Sequence, residues 1–491
     1  MKKRDLYYER IPTKLLREDF RLLGTFLGRV IKDQEGLAFF KIVEKFRVLS
    51  KNTLYDKNKR KVLSRISKEV KKLTPENTFK LSRAFSHILN LLNLVESLDA
   101  SRKLNEYENP YFKSKNQNLF IEDIIEGLFK NKKISDKNIY EQAKKLDIGI
   151  VLTAHPTEVK RRTLIQKYAN LIYIMEQRHL YKKYPSKIIE LDRQLYSEIA
   201  IIWKTDELKR TKPSPLDEAR WGLAVIEDSL WDTIPKVYKR LNDIFRKNLK
   251  KDLPRDFNPI QFGSWMGGDR DGNPNVTAEV TKKVILFSRW QAAKLYEKEL
   301  TKLIQDLSME ECSAKIKKAT GNSFEPYRVY LRPIRDKVRL THQLIENHLN
   351  NNSNLNEKKL IQNKHEITIP LREVRNSLKL NKGDHIANAD LLDLMRRVRC
   401  FGINLARLDI RQEADRHEKL LNEIFKKKSK ITYSNLSEID KIKLLNKSIK
   451  EKKFFVDKIK IQNKENREVW NTFKLISSTD RKSTRLNSSH Q

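Results

Sequence analysis

The chain has 491 residues, with 102 Lys and Arg against 64 Asp and Glu, a formal net charge of +38, 38% hydrophobic residues and a mean hydropathy of −0.68. That length suits two or three domain-sized units built on long amphipathic helices rather than a wide apolar sheet. No apolar run is long enough to span a bilayer, the charged start Met1-Lys2-Lys3-Arg4-Asp5 lacks the core of a secretory signal, and two distant cysteines, Cys312 and Cys400, exclude a disulfide framework.

The expectation is thus a cytoplasmic protein with no membrane partner. The positive charge suggests nucleic acid as a partner. Yet the lysines are spread rather than striped, and no zinc knuckle, RNP-like aromatic motif or Arg-Gly repeat accompanies them. No nucleic acid is expected; an anionic small substrate satisfies the same charge.

In chain order, 15–34 carries Leu16, Phe20, Leu23, Phe26, Leu27 and Val30 at helical spacing. A second helix starts at Thr74-Pro75, a cap followed by a first-turn proline. His87, inside it, reads as a packed or partly exposed helix residue rather than a ligand. Residues 100–140 are polar and predicted to be loop-rich. The apolar run Ile148, Ile150, Val151, Leu152 predicts a strand buried on both faces. Helical patterns fill 158–185 and 188–212, the Lys212-Pro213-Ser214-Pro215 break follows, and helix resumes over 216–241. A second strand is predicted at 260–266, with helices over 277–308 and 326–349. The Asn- and Lys-rich stretch 347–364 reads as a mobile surface insertion. A helix near 388–399 leads into a third strand at 404–411. The Ser-rich end, 478–491, reads as a foreign tail.

Three segments share one design: an apolar strand, polar groups or glycines at its carboxyl end, then a helix. The first ends at His155. Pro156 biases His155 away from helical angles and suits the first helical position, so the histidine is expected beside a helix amino terminus, with Lys160, Arg161 and Arg162 in the opening turns. The second is Trp265-Met266-Gly267-Gly268-Asp269-Arg270-Asp271, in which the glycines permit close approach and the charges can pair. Either a substrate loop or a structural turn with internal ion pairs fits it. In the third, alternation puts Arg407, Asp409 and Arg411 on one side of a strand. Arg411 lies nearest the carboxyl end and suits a phosphate or carboxylate, although a structural salt-bridge ladder fits the spacing too. No phosphate-binding Gly-Lys loop, zinc-protease motif or nucleophile elbow is present, and His342 and His348 do not share a helix face.

The three segments resemble the signatures of the phosphoenolpyruvate carboxylase family, with support from 203–210, 212–220 and the helix at 83–86. The resemblance runs from Leu15 to about Ile476 in the family's order. It implies a mostly α protein with an α/β barrel core: an incomplete, helix-elaborated (β/α)8, TIM-like barrel with its first three or so strands present. The domain reading is an amino-terminal helical region over 1–145, the first part of the barrel with helical insertions over 146–477, and the tail at 478–491.

The resemblance also implies a carboxy-lyase that converts phosphoenolpyruvate and bicarbonate to oxaloacetate and phosphate, an anaplerotic supply of four-carbon acids to the tricarboxylic acid cycle. It makes His155 catalytic, Arg411 the phosphate contact, Trp265 a wall of the bicarbonate pocket, Gly267, Gly268, Asp269, Arg270 and Asp271 the site loop, and Arg161 and Arg162 an effector site. Mg or Mn is the implied cofactor, with no metal ligand in this chain and the ligands in a second half that the sequence lacks. Hence the chain is expected to be an amino-terminal fragment, inactive alone, of a homotetrameric, allosteric parent. The competing readings are a basic nucleic-acid-binding protein without enzymatic activity and a degenerate regulatory paralogue.

Overall fold

The computed structural model describes residues 14–53, 59–107, 121–131, 133–153, 161–207, 213–254, 256–271, 273–351, 353–450 and 459–482. They fall into two compact units, one drawn from 1–117 and 160–211, the other from 118–159 and 212–491. The first unit therefore takes chain from both sides of the first strand.

The described residues of the first unit form helices: α1 (Lys14–Thr53), α2 (Lys59–Val70), α3 (Pro75–Tyr107), α6 (Arg162–Leu180) and α7 (Pro185–Lys204). α1 kinks at Gly36, whose φ of 86° is open to glycine alone at little cost. The apolar spacing seen in the sequence becomes the core: Leu23, Leu27 and Val30 of α1 pack with Val95 and Leu98 of α3, Leu171 of α6 and Leu195, Ile199 and Trp203 of α7.

One face of α3 grips the segment that follows α7. Arg83 Nη2 donates to Thr205 O at 2.7 Å, its guanidinium lies 5.3 Å from the Trp203 ring, and Ser86 Oγ donates to Glu207 Oε2 at 3.0 Å. Trp203 Nε1 donates to Glu35 Oε1 at 3.0 Å. His87 is 1% exposed, the packed of the two fates its helical position left open. Its Nδ1 lies 3.1 Å from Glu207 Oε1 without hydrogen-bond geometry.

The second unit carries the sheet, strands β1 (Ile148–Leu152), β2 (Ile260–Ser264) and β3 (Arg407–Leu408), all parallel in the order β1-β2-β3. Register pairs Leu152 with Ser264 and Ser264 with Leu408. The helices of this unit are α4 (Ile121–Lys130), α5 (Asp136–Ala143), α8 (Pro215–Val225), α9 (Trp231–Leu249), α10 (Ala278–Asp306), α11 (Ala314–Thr320), α12 (Pro326–Asn351), α13 (His365–Leu380), α14 (Asp384–Ala387), α15 (Asp390–Phe401), α16 (Ala414–Ser429), α17 (Glu438–Lys450) and α18 (Lys464–Lys482).

The proline break expected at 212–215 is realised as a capping box at the start of α8: Ser214 Oγ accepts from Asp217 N at 3.2 Å, and Asp217 Oδ2 accepts from Ser214 N at 3.1 Å. An aromatic stack fixes the helices to β2: Phe262 on Phe401 at 5.4 Å, Phe401 on Trp231 at 5.4 Å, and Trp231 against Tyr296 at 5.3 Å. Tyr296 OH donates to Gly402 O at 2.6 Å, just before the turn into β3. Cys312 and Cys400 are free thiols, and burial pushes Cys400 up to about 12. Among the described residues no helix is long and apolar enough to cross a membrane.

Four expectations change. β1 is not buried on both faces: Ile148, Ile150 and Val151 are 45%, 40% and 43% exposed, because β2 is its only strand partner among the described residues. β3 is two residues long rather than eight, since Leu405 at φ 55° delays the strand and pairing beyond Leu408 reduces to single bridges. The region 100–140 contains the end of α3, all of α4 and the start of α5; Ile125 and Phe129 pack on Phe245, so short amphipathic helices hide in a polar stretch. The stretch 347–364 is not a surface insertion throughout. Leu360 is 0% and Ile361 3% exposed, each packed in a core cluster. At the other end, α18 continues to Lys482, five residues into the segment 478–491.

Burial holds the His87 imidazole below its ordinary value of 6.5, against the opposing pull of Glu207 and helped by Arg83. The unfolded chain then binds a proton that the folded one refuses, so this residue costs stability as pH falls from above about 6.5 towards the lowered native value. The stability advantage of the parent over His87→Leu should shrink across that window in paired urea titrations; a difference independent of pH would show that the buried imidazole does not titrate this way.

Candidate functional site

The backbone at the carboxyl ends of the strands forms a continuous lattice. Trp265 N donates to Leu152 O at 3.1 Å, extending the β1-β2 pairing by one residue, and Asp409 N donates to Ser264 O at 2.9 Å. Gly267 turns the chain at φ 77°, and Gly268 N and Asp269 N both donate to Trp265 O at 2.9 Å. The loop is then tied to the one after β3: Arg411 N donates to Gly268 O and Arg270 N to Arg411 O, each at 3.1 Å.

That lattice brings four side chains together. The Arg411 guanidinium lies 4.2 Å from the centre of the Trp265 ring and donates to Asp269 Oδ2 at 3.2 Å. Trp265 Nε1 donates to Asp409 Oδ2 at 3.3 Å. Arg411 is 44% exposed on its side chain, so its ion pair is screened and contributes at most about 1 kcal/mol. A guanidinium has five N–H donors and Asp269 takes one; Arg411 makes no other side-chain hydrogen bond among the described residues. The tryptophan face and one carboxylate orient the cation and leave it able to receive an anion.

The other loop residues divide by role. Arg270 is 3% exposed and turned inward, where Nη1 donates to Gly268 O at 3.0 Å and Nη2 to Thr281 Oγ1 at 2.7 Å. Thr281 Oγ1 can in turn donate to Gly267 O at 2.8 Å. Arg270 braces the turn instead of facing a ligand. Asp271 is exposed, and its N–H donates to Asp269 Oδ1 at 3.1 Å, which holds that carboxylate from the side away from Arg411. A Cβ at Gly268 would stand 2.2 Å from Asp409 O, and one at Gly267 would stand 2.5 Å from Val284 Cγ2.

His155 lies outside the described residues; β1 brings the chain to the edge of this lattice at Leu152. Arg161 belongs to the first unit, where it precedes α6 and lies 3.6 Å from Asp206 Oδ2. Arg162 opens α6, and its side chain is not described. Asp409 is the functional candidate that strand alternation placed on the inner side without marking it out. Its signal is the tryptophan indole, a donor that needs an acceptor when partly buried. Among the described residues no three His, Cys, Asp or Glu side chains stand together as a site for the implied Mg or Mn.

An oriented arginine on an aromatic shelf, at the carboxyl ends of parallel strands, is an arrangement able to receive an anion. The family model of phosphoenolpyruvate carboxylase matches residues 16–489. Relatives named phosphoenolpyruvate carboxylase include one from Acinetobacter baumannii, 40% identical over 83% of this chain and 45% of the relative. Others come from Haemophilus influenzae, 35% identical over 94% of this chain and 52% of the relative, and Escherichia coli, 36% identical over 94% and 51%. The chain belongs to the phosphoenolpyruvate carboxylase family, and it spans about half the length of the curated relatives it matches.

The lattice makes a sharp forecast for its glycines. Gly268→Ala drives a methyl group into the Asp409 carbonyl and is expected to cost roughly 3 kcal/mol. Gly149→Ala in β1 meets nothing within 4 Å and should stay within about 0.5 kcal/mol of the parent. Chemical unfolding of the two variants measures this, and equal tolerance would mean that the loop is not locked to β3.

Proposed function

We propose that the whole protein carboxylates phosphoenolpyruvate with bicarbonate, giving oxaloacetate and phosphate. The observation that carries this reading is the Arg411 guanidinium held on the Trp265 face with donors to spare. A phosphate monoester with a carboxylate on a three-carbon frame matches that cation in charge and geometry.

In this reading Arg411 binds the phosphate and Trp265 lines the space for bicarbonate. A bicarbonate oxygen attacks phosphorus, the bond from phosphorus to the enol oxygen breaks, and carboxyphosphate and the pyruvate enolate result. His155 takes the proton of carboxyphosphate, whose C–O bond then breaks to release carbon dioxide and phosphate. The enolate carbon adds to the carbon dioxide before it escapes. Arg411 stabilises charge on phosphate throughout, most strongly where water is excluded. The metal, Mg or Mn, is proposed to take its ligands outside the described residues and to supply further charge neutralisation.

The three strands are proposed as the first of a (β/α)8 barrel. Their parallel order, the helices between them and the exposed apolar side chains of β1 support this. Residues 146–477 would then form the first part of the barrel, with α6 and α7 as a helical insertion that packs with α1, α2 and α3 of the region 1–145. Arg161 and Arg162 are proposed to take an anionic effector, for which Asp206 is the resting partner of Arg161. A cytoplasmic homotetramer remains the proposed setting.

Two substitutions in the whole protein test the reading. Arg411→Gln should lower kcat/KM for phosphoenolpyruvate roughly 10- to 100-fold, the size of lost charged hydrogen bonds. His155→Asn should still release phosphate from phosphoenolpyruvate while forming little oxaloacetate. A normal oxaloacetate yield from His155→Asn, or unchanged kinetics in Arg411→Gln, would overturn the assignment.

A further inference from the structure

Arg270 poses an electrostatic problem. Its guanidinium is buried, stays charged, and has two neutral acceptors, Gly268 O and Thr281 Oγ1, while Nε finds no hydrogen-bond partner. A buried cation needs an anion nearby. Asp269, the adjacent carboxylate, is engaged by Arg411 and by the Asp271 N–H. Burial holds Arg270 below its ordinary value, and the strongest opposing influence is the carboxylate of Glu468, ahead of Asp269, while Arg416 repels.

Glu468 sits on α18 at a fixed place. Its neighbour Val469 is buried in a cluster with Leu420, Ile424 and Ile461, and Asn466 Nδ2 donates to Glu423 Oε2 at 2.8 Å. Glu468 Oε1 accepts from Ala278 N, the first residue of α10, and Thr281 of the same helical turn is the residue that holds Arg270. One carboxylate thus caps the helix whose first turn holds the buried cation.

We infer that Glu468 is a positioning residue for the anion site: from α18 it neutralises Arg270 while capping α10, and so fixes the Gly267–Gly268 turn that sets Trp265 against Arg411. Its consequence for turnover rests on the proposed function of that site; the brace itself does not.

Glu468→Gln separates the two roles, because a glutamine carbonyl still accepts from Ala278 N but carries no charge. In the full chain, hydrogen exchange at the Arg270 and Arg411 amides should rise at least about tenfold, with Ala278 still protected. The indole resonance of Trp265 should shift, which a role confined to helix capping would not produce. Unchanged exchange at Arg270 and Arg411 overturns the inference whatever the activity shows. Should Glu468→Gln fail to fold, the double variant with Arg270→Met is expected to restore folding by removing the unneutralised cation, and failure of the double variant to fold overturns the inference as well. If the brace holds while Arg411→Gln leaves turnover unchanged, the functional reading falls and the brace stands.

Discussion

The exchange of two backbone hydrogen bonds between Gly268, Arg270 and Arg411 is the constraint on which the site depends. β3 pairs with β2 over only two residues, too little to hold a side chain in register by itself. The extra bridge recovers that register beyond the strand, where the loops would otherwise diverge. It needs a glycine at 268, since any Cβ would occupy the space of the Asp409 carbonyl. Backbone proximity then makes the side-chain contacts almost obligatory: Arg411 has the Trp265 ring on one side and Asp269 within reach. The glycines of this loop serve close packing of two peptide chains as much as conformational freedom.

Much of this arrangement was legible in the sequence, because strand ends, glycine pairs and proline punctuation are local signals. The shared design of the three segments and the helix that resumes after the proline break follow from spacing and residue type. What stayed hidden depends on partners distant in the chain. The apolar run of β1 suggested burial, but burial requires a neighbour, and the described residues give β1 only β2. Leu360 and Ile361 sit in an Asn- and Lys-rich stretch whose composition hides two core anchors. Asp409 was placed by alternation with Arg407 and Arg411, and the indole of Trp265 is a donor that its carboxylate meets across the chain.

The net charge of +38 divides along similar lines. Many cations are spent on helix surfaces in pairs such as Lys283 with Glu279 and Lys427 with Glu423, which solvent screens. Others pack their stems and guanidinium planes on aromatic rings, as Arg397 does on Trp231 while pairing with Glu299 and Asp232. Composition alone cannot distinguish such cations from one that meets a ligand. The distinction lies in geometry, in how many donors the fold has already satisfied.

Arg270 and Arg411 show this within a single bridge. They share backbone hydrogen bonds, yet one side chain turns inward to neutral oxygens and a distant carboxylate, while the other lies on an aromatic face open to solvent. Burying the first costs desolvation that only charge from outside the loop can offset. That cost is tolerable because the buried guanidinium fixes the Gly268 carbonyl directly and the Gly267 carbonyl through Thr281, and with them the seat of its exposed neighbour. A turn held only by backbone bonds would leave Trp265 and Arg411 free to shift by an ångström or so, enough to spoil the fit of an anion between fixed donors. The inward arginine is therefore what holds the outward one in place.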